Sequence, residues 1–140
     1  MDLEKFKVQL IAHEGLVLKP YRDTMGKLTI GVGRNLDDRG ITMEEAMYLL
    51  GHDIVDHTAP LDIHIPWWRT LSEPRQRVLA DMSFNLGVVG LLNFRNTLAA
   101  VQRGDYAQAA SGMRYSRWYS QVGNRAKRLV RMMETGLDVV

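Results

Sequence analysis

The spacing of apolar residues changes period after Gly15 and changes back at Thr42, and this double switch is what most limits how the chain can fold. Residues 3–11 place Leu3, Phe6, Val8, Leu10 and Ile11 mostly at helical spacing, with Asp2 as N-cap and Gly15 as the left-handed residue that ends the helix. Beyond Pro20, the turn-like Asp23-Thr24-Met25-Gly26 precedes a stretch of strand composition, Lys27 to Val32. That order predicts a hairpin with Asp23 on its turn and Thr29 on the returning strand. Thr42-Met43-Glu44-Glu45 then has the T-x-x-E form of a capping box, and Ala46, Leu49, Leu50 and Ile54 supply an apolar face that Pro60 is expected to stop.

Downstream, everything reads as helix. Residues 59–71, with Pro60, Pro66 and the adjacent Trp67-Trp68, read as an irregular connection, after which Ser72-Glu73-Pro74 opens a helix running through Val78, Leu79, Met82 and Leu86 to Gly87. Further helices are expected at about 94–103, 106–115 and 124–135, with Gly104 and Gly136 as stops and Asp105-x-x-Gln108 as another cap. The expected class is α+β: a small N-terminal β-hairpin lobe, a connecting helix and an all-helical C-terminal lobe, within one domain over residues 1–140. The N-terminal lobe falls at about 12–58 and the helical lobe at about 1–11 plus 59–140. A chain of 140 residues is long enough to bury a core without covalent staples, and it has no cysteine to make one.

The absence of cysteine fits synthesis in a reducing cytoplasm, and residues 1–15 contain no apolar run long enough for a signal peptide or a membrane span. Net charge is only +2 but is unevenly placed. Over residues 100–140, Arg103, Arg114, Arg117, Arg125, Lys127, Arg128 and Arg131 face only Asp105, Glu134 and Asp138. A basic terminus of this kind is read as a solvated face, as attraction to an anionic polymer or membrane surface, or as a nucleic-acid contact.

Two carboxylates and a hydroxyl, Glu14, Asp23 and Thr29, carry the chemical signal. Hydrolysis of a glycosidic bond needs one carboxylic acid to protonate the leaving oxygen and one carboxylate on the opposite face, to activate water or to attack the sugar. Glu14 falls at a helix C-terminus, where carbonyl dipoles disfavour a carboxylate charge, as suits a proton donor. Spacing alone leaves a second reading open: a solvated helix-end acid, an ordinary turn former and a threonine chosen for its strand propensity.

The run E-G-L-x-L-K-x-Y-x-D-T-x-G-x-x-T-I-G-x-G, from Glu14 to Gly33, resembles the signature of bacteriophage-type lysozymes, glycoside hydrolase family 24, and Glu14, Asp23 and Thr29 match that family's E-x8-D-x5-T triad. The resemblance covers essentially the whole chain. Ile41-Thr42-Met43-Glu44-Glu45-Ala46 is similar to the start of the interlobe helix, and Met82-Ser83-Phe84-Asn85-Leu86-Gly87 to the buried central helix. Ser116-Arg117-Trp118-Tyr119 with Gly123-Asn124-Arg125-Ala126-Lys127-Arg128 resembles the distal block. It implies a lysozyme-like fold, with Glu14 as general acid, Asp23 as general base and Thr29 hydrogen-bonded to the attacking water. It also implies Phe84 and Thr97 along the saccharide cleft and Arg125 paired with the region of the active-site glutamate. Asn35, where relatives carry leucine, joins the candidate substrate contacts. Arg34 stands in place of a histidine, Gly112 in place of a polar cleft residue, and Met25 in place of an acid that can pair with Arg117.

The implied activity is that of an endolysin muramidase, cutting the β-1,4 bond between N-acetylmuramic acid and N-acetylglucosamine with inversion and so lysing the host. No cofactor and no metal are expected. The implied partner is peptidoglycan, with dependence on a holin, no nucleic acid, no stable membrane insertion and a monomeric state. The place of action is the periplasm, after synthesis in the host cytoplasm. The competing readings are a lytic transglycosylase, which would not need Asp23 and Thr29 to hold a water, and a noncatalytic wall-binding protein. Other chemistries fail on spacing. His13-Glu14 lacks the second histidine of H-E-x-x-H because Val17 stands there, and His52, His57 and His64 are not at ligand spacing on one helix face. Gly31-Val32-Gly33 lacks the third glycine of a dinucleotide loop and instead permits close backbone approach to a sugar or to the adjacent lobe.

Overall fold

The computed structural model describes residues 1–139. The chain divides into two compact units, the first Met1–Leu49 and the second beginning at Leu50. The class is α+β, as the pattern predicts. Its elements are α1 (Leu3–Glu14), β1 (Val17–Arg22), β2 (Leu28–Gly31), β3 (Arg34–Asn35), α2 (Met43–His64), a 3-10 turn (Trp68–Thr70), α3 (Glu73–Leu92), α4 (Arg95–Gln102), α5 (Tyr106–Arg114), α6 (Arg117–Val122) and α7 (Asn124–Thr135).

In the first unit the Asp2 side chain accepts the Lys5 amide at 3.0 Å and caps α1. Gly15 ends the helix differently from expectation. Its φ of 80° is positive but its ψ of 163° is extended rather than left-handed helical, so the chain passes straight from helix into strand. Only glycine occupies that region without strain. The sheet is antiparallel in the order β1-β2-β3. Tyr21 lies opposite Thr29 and Thr29 opposite Asn35. Pro20, which has no amide to donate, sits on the edge strand β1 where the register slips between Val17 and Tyr21. The returning strand falls inside the expected 27–32 segment; β3, only two residues long, has no sequence pattern to announce it.

Pro60 does not stop α2, which continues to His64. An internal proline costs a helix about 3 kcal/mol. The next residue, Leu61, is fully buried, its carbonyl accepts the Ile65 amide at 2.8 Å, and Ile65 is itself 2% exposed. Burial of each such side chain contributes about 1.5–3 kcal/mol, enough to offset the proline. The segment expected to be irregular is likewise ordered around Trp68, whose indole donates to Asp62 Oδ1 at 2.8 Å while Arg69 Nε reaches the same oxygen at 2.7 Å.

The second unit packs α3, α4, α5 and α7 about Val78, Leu79, Met82, Val101, Met113 and Met133. Gly87 interrupts α3 with φ 76° and ψ 161°, and the helix resumes to Leu92, so the expected stop is a kink. Asp105 caps α5 through the Gln108 amide, as expected. The short α6 was not anticipated; Ser116 caps it, and its Trp118 is buried with the indole donating to Asn85 Oδ1 at 3.1 Å. Among the described residues no helix is long and apolar enough to cross a membrane.

Helices α4 and α5 are in contact at Gly112, where a Cβ would stand 2.4 Å from Thr97 Oγ1. Gly112→Ala is expected to lower unfolding free energy by about 1–3 kcal/mol through overpacking. Adding Thr97→Ala should recover part of that loss, as read by urea denaturation.

Candidate active site

Asp23 closes the β1–β2 turn with its own side chain. Its Oδ1 accepts the backbone amides of Met25 and Lys27, each at 2.9 Å, while its amide donates to the Lys27 carbonyl at 2.9 Å and its carbonyl accepts from Gly26 at 2.9 Å. One carboxylate oxygen is therefore saturated by fixed donors, and Oδ2 makes no hydrogen bond among the described residues. Thr29, 3% exposed, donates from Oγ1 to the same Lys27 carbonyl at 2.8 Å. Its hydroxyl proton is thus committed, leaving the oxygen lone pairs as acceptors. A single residue, Lys27, carries the backbone groups that hold both side chains.

Lys27 is anchored in turn. Its ammonium donates to Asp38 Oδ1 at 3.0 Å, which raises the lysine above its ordinary range and holds the Asp38 carboxyl below its own. Asp37 Oδ2 accepts the Leu28 amide at 2.7 Å. Asn35 spends both ends of its side-chain amide here, donating to Asp38 Oδ2 at 3.0 Å and accepting the Asp38 amide at 2.9 Å.

Glu14 is the last residue of α1. Its carboxyl lies against Gly33, where a Cβ would stand 3.2 Å from Glu14 Oε2 and the backbone φ is 67°. The neighbour at Gly33 is thus the candidate acid of the same unit rather than the sugar or adjacent lobe expected there, and Gly31 has open space beside it. Directly after Gly33, Arg34 donates to Glu45 Oε1 at 2.8 Å, to Glu45 Oε2, and to the Gly40 carbonyl at 3.2 Å. Glu45 also completes the capping box with Thr42, whose amide reaches Oε1 at 2.9 Å. The Arg34 guanidinium, and then the Thr42 amide, hold the Glu45 carboxyl down at about 2.

In the second unit, Phe84 packs against His57 with ring centroids 4.7 Å apart and planes tilted by 47°, and Arg125 Nε donates to Asp81 Oδ1 at 2.7 Å. These four residues line a cavity of about 300 Å³. Thr97 does not: it is buried in α4 against Gly112. Among the described residues no group of three or more histidine, aspartate or glutamate side chains is placed to hold a metal.

Residues 11–134 match the family described as phage lysozyme. The chain belongs to the phage lysozyme family. It is 32% identical to the pre-baseplate central spike protein Gp5 of Enterobacteria phage T4, an alignment spanning 88% of this chain but only 26% of that protein. It is also 27% identical to probable T4-type lysozyme 1 of Dictyostelium discoideum, over 96% of both chains. With the SAR-endolysin of Escherichia phage Mu it shares 30% identity, over 97% of this chain and 78% of that one.

In this member of a family of lysozyme-type hydrolases, the three triad positions all fall in the first unit, Asp23 and Thr29 bonded to the backbone of Lys27 and Glu14 against Gly33. Phe84 and Arg125 share one cavity of the second unit. Arg125, which resemblance pairs with the region of Glu14, has Asp81 as its partner. Sequence reading did not single out Lys27, Asp81 or the Arg34–Glu45 pair. The capping box flags Glu45 only as a helix-start acid, and no spacing rule links Asp81 to Arg125 across 44 residues.

Glu45 gives a pH signature. Because its folded value lies near 2 and its ordinary value is 4.5, the stabilisation it supplies is complete above pH 4.5 and is lost as pH falls from there through about 2. NMR titration of the Glu45 side-chain carboxyl should give a midpoint near 2, and Arg34→Met should move it upward toward 4.5.

Proposed function

We propose that the chain is an endolysin-type muramidase, hydrolysing the β-1,4 bond between N-acetylmuramic acid and N-acetylglucosamine in peptidoglycan with inversion of configuration. The observation that carries this reading is the backbone of Lys27, whose amide and carbonyl fix a carboxylate with one oxygen left over and a hydroxyl with only its lone pairs left over. Those are two acceptors for the two protons of one water. Glu14 donates its proton to the glycosidic oxygen as the C–O bond breaks, the bonding pair leaving with that oxygen. The water, hydrogen-bonded to Asp23 Oδ2 and Thr29 Oγ1, attacks the anomeric carbon from the opposite face and gives a proton to Asp23. Lysozyme-family membership and relatives named as lysozymes and endolysins support the same chemistry. We assign Asn35, Phe84 and Arg125 to saccharide contacts; the ring of Phe84, 38% exposed, offers an apolar face to a sugar.

In this reading the protein works as a monomer without a cofactor, on periplasmic peptidoglycan, after holin-dependent release from the host cytoplasm. A virion-associated role is the second reading, favoured by the similarity to the T4 spike protein. Mass spectrometry of purified particles separates the two, since only the second places the chain in the virion.

Glu14→Gln should lower turnover on purified peptidoglycan by at least about a hundredfold while the fold is kept. The product formed first from a β-linked oligosaccharide, followed by NMR before mutarotation, should be the α-anomer. A β-anomer would remove the water-activating roles of Asp23 and Thr29, and anhydro-muramic ends would make the chain a transglycosylase.

On α7, Lys127, Arg128 and Arg131 occupy the exposed face opposite buried Ala126, Leu129, Val130 and Met133, with no ion pair among the described residues. Changing all three to Gln should weaken lysis of whole envelopes at low salt and spare cleavage of short neutral oligosaccharides. Equal loss on both substrates would point to damage of the fold.

A further inference from the structure

The turn that carries Gly33 is closed by a short ladder, Ile30 opposite Arg34 and Thr29 opposite Asn35. Gly31 and Gly33 both have positive φ, 70° and 67°, and β3 beyond them is two residues long. Glycines in such a turn have many accessible conformations, yet this turn is the surface against which the Glu14 carboxyl lies.

The side chain of the next residue adds to that pairing. Arg34 makes a two-point, planar contact with Glu45 in the first turn of α2 and a third bond to the Gly40 carbonyl. The fork of a guanidinium on a carboxylate restricts orientation as well as distance, which a lysine ammonium does not. Glu45 is itself oriented by the reciprocal bonds of the capping box. This pair is also the most shielded ion pair among the described residues, with side chains 21% and 38% exposed. Most of the other pairs lie open to solvent on both sides, where such contacts contribute little.

We propose that Arg34 and Glu45 are positioning residues for the proton donor: their clamp fixes Gly33, and Gly33 in turn sets where the Glu14 carboxyl stands. The proposal rests on the reading of Glu14 as general acid. A clamp with only a structural role would change stability and leave turnover of the folded enzyme alone. A positioning clamp acts on turnover, because displacing a reacting group by about 1 Å costs up to about a hundredfold in rate.

The test is steady-state cleavage of a soluble glycan-strand substrate by Arg34→Met, Glu45→Gln and the double variant, each at a temperature where circular dichroism shows it folded. Expected are a fall in kcat of about tenfold or more in each single variant with KM within about twofold, a double variant no worse than either single one, and only partial rescue by Arg34→Lys. Arg39→Gln, which removes a nearby exposed positive charge but no part of the clamp, should keep wild-type kcat. Wild-type kcat in the folded single variants, loss in KM alone, or losses that multiply in the double variant would overturn the proposal. If Arg34→Met fails to fold, Glu45→Gln decides alone, since its side-chain oxygen can still accept the Thr42 amide. Glu14→Gln separates the two levels: an active Glu14→Gln removes the general-acid reading, whereas an inactive Glu14→Gln beside fully active clamp variants removes only the positioning role.

Discussion

The hydrogen bonds that the Lys27 backbone makes, its amide to the Asp23 carboxylate and its carbonyl to the Thr29 hydroxyl, are the constraint on which the candidate site depends. They tie both candidate side chains to the backbone of the hairpin turn. An aspartate that accepts two backbone amides is a good turn former for local reasons, and the same two bonds leave one oxygen in a defined place. The threonine cannot rotate freely while its proton rests on a carbonyl of that turn. Lys27's ammonium then ties this residue to Asp38 beyond β3, so the sheet's far edge steadies its near turn.

Glu14 reaches the same unit from another direction. The helix that bears it ends at a glycine whose φ and ψ deliver the chain directly into β1, so no intervening loop separates acid and hairpin. On its other side the carboxyl meets the backbone of Gly33, where a side chain would intrude. Both contacts depend on glycine, for different reasons: at Gly15 it is the backbone conformation, and at Gly33 it is conformation together with space.

The helical unit shows how packing overrides local preference. Pro60 and Gly87 both carry strong stop signals, yet α2 passes through the first and α3 resumes after the second. In the first case Leu61 and Ile65 lose nearly all contact with water, and the free energy of that burial exceeds the helix penalty. Trp68, in a stretch rich in proline and aromatic residues, likewise takes a defined place because its indole has Asp62 to bond and its ring has a core to enter. With no cysteine in the chain, the buried cluster around Met82, Met113 and Trp118 is what holds this unit together.

The sequence by itself determined the α+β class, the capped starts of α1, α2 and α5, the hairpin with Asp23 on its turn, and the phage lysozyme family. Each of these rests on residues within a few positions of one another, where spacing, capping and turn chemistry act without the rest of the chain. Tertiary structure alone decided that Pro60 lies inside a helix, that Arg34 meets Glu45, that Arg125 meets Asp81, and that Thr97 is buried against Gly112. Those outcomes depend on which distant surfaces come into contact. The energies that select them, burial of apolar area and pairing of opposite charges, belong to the folded assembly and leave no periodic trace in the order of residues.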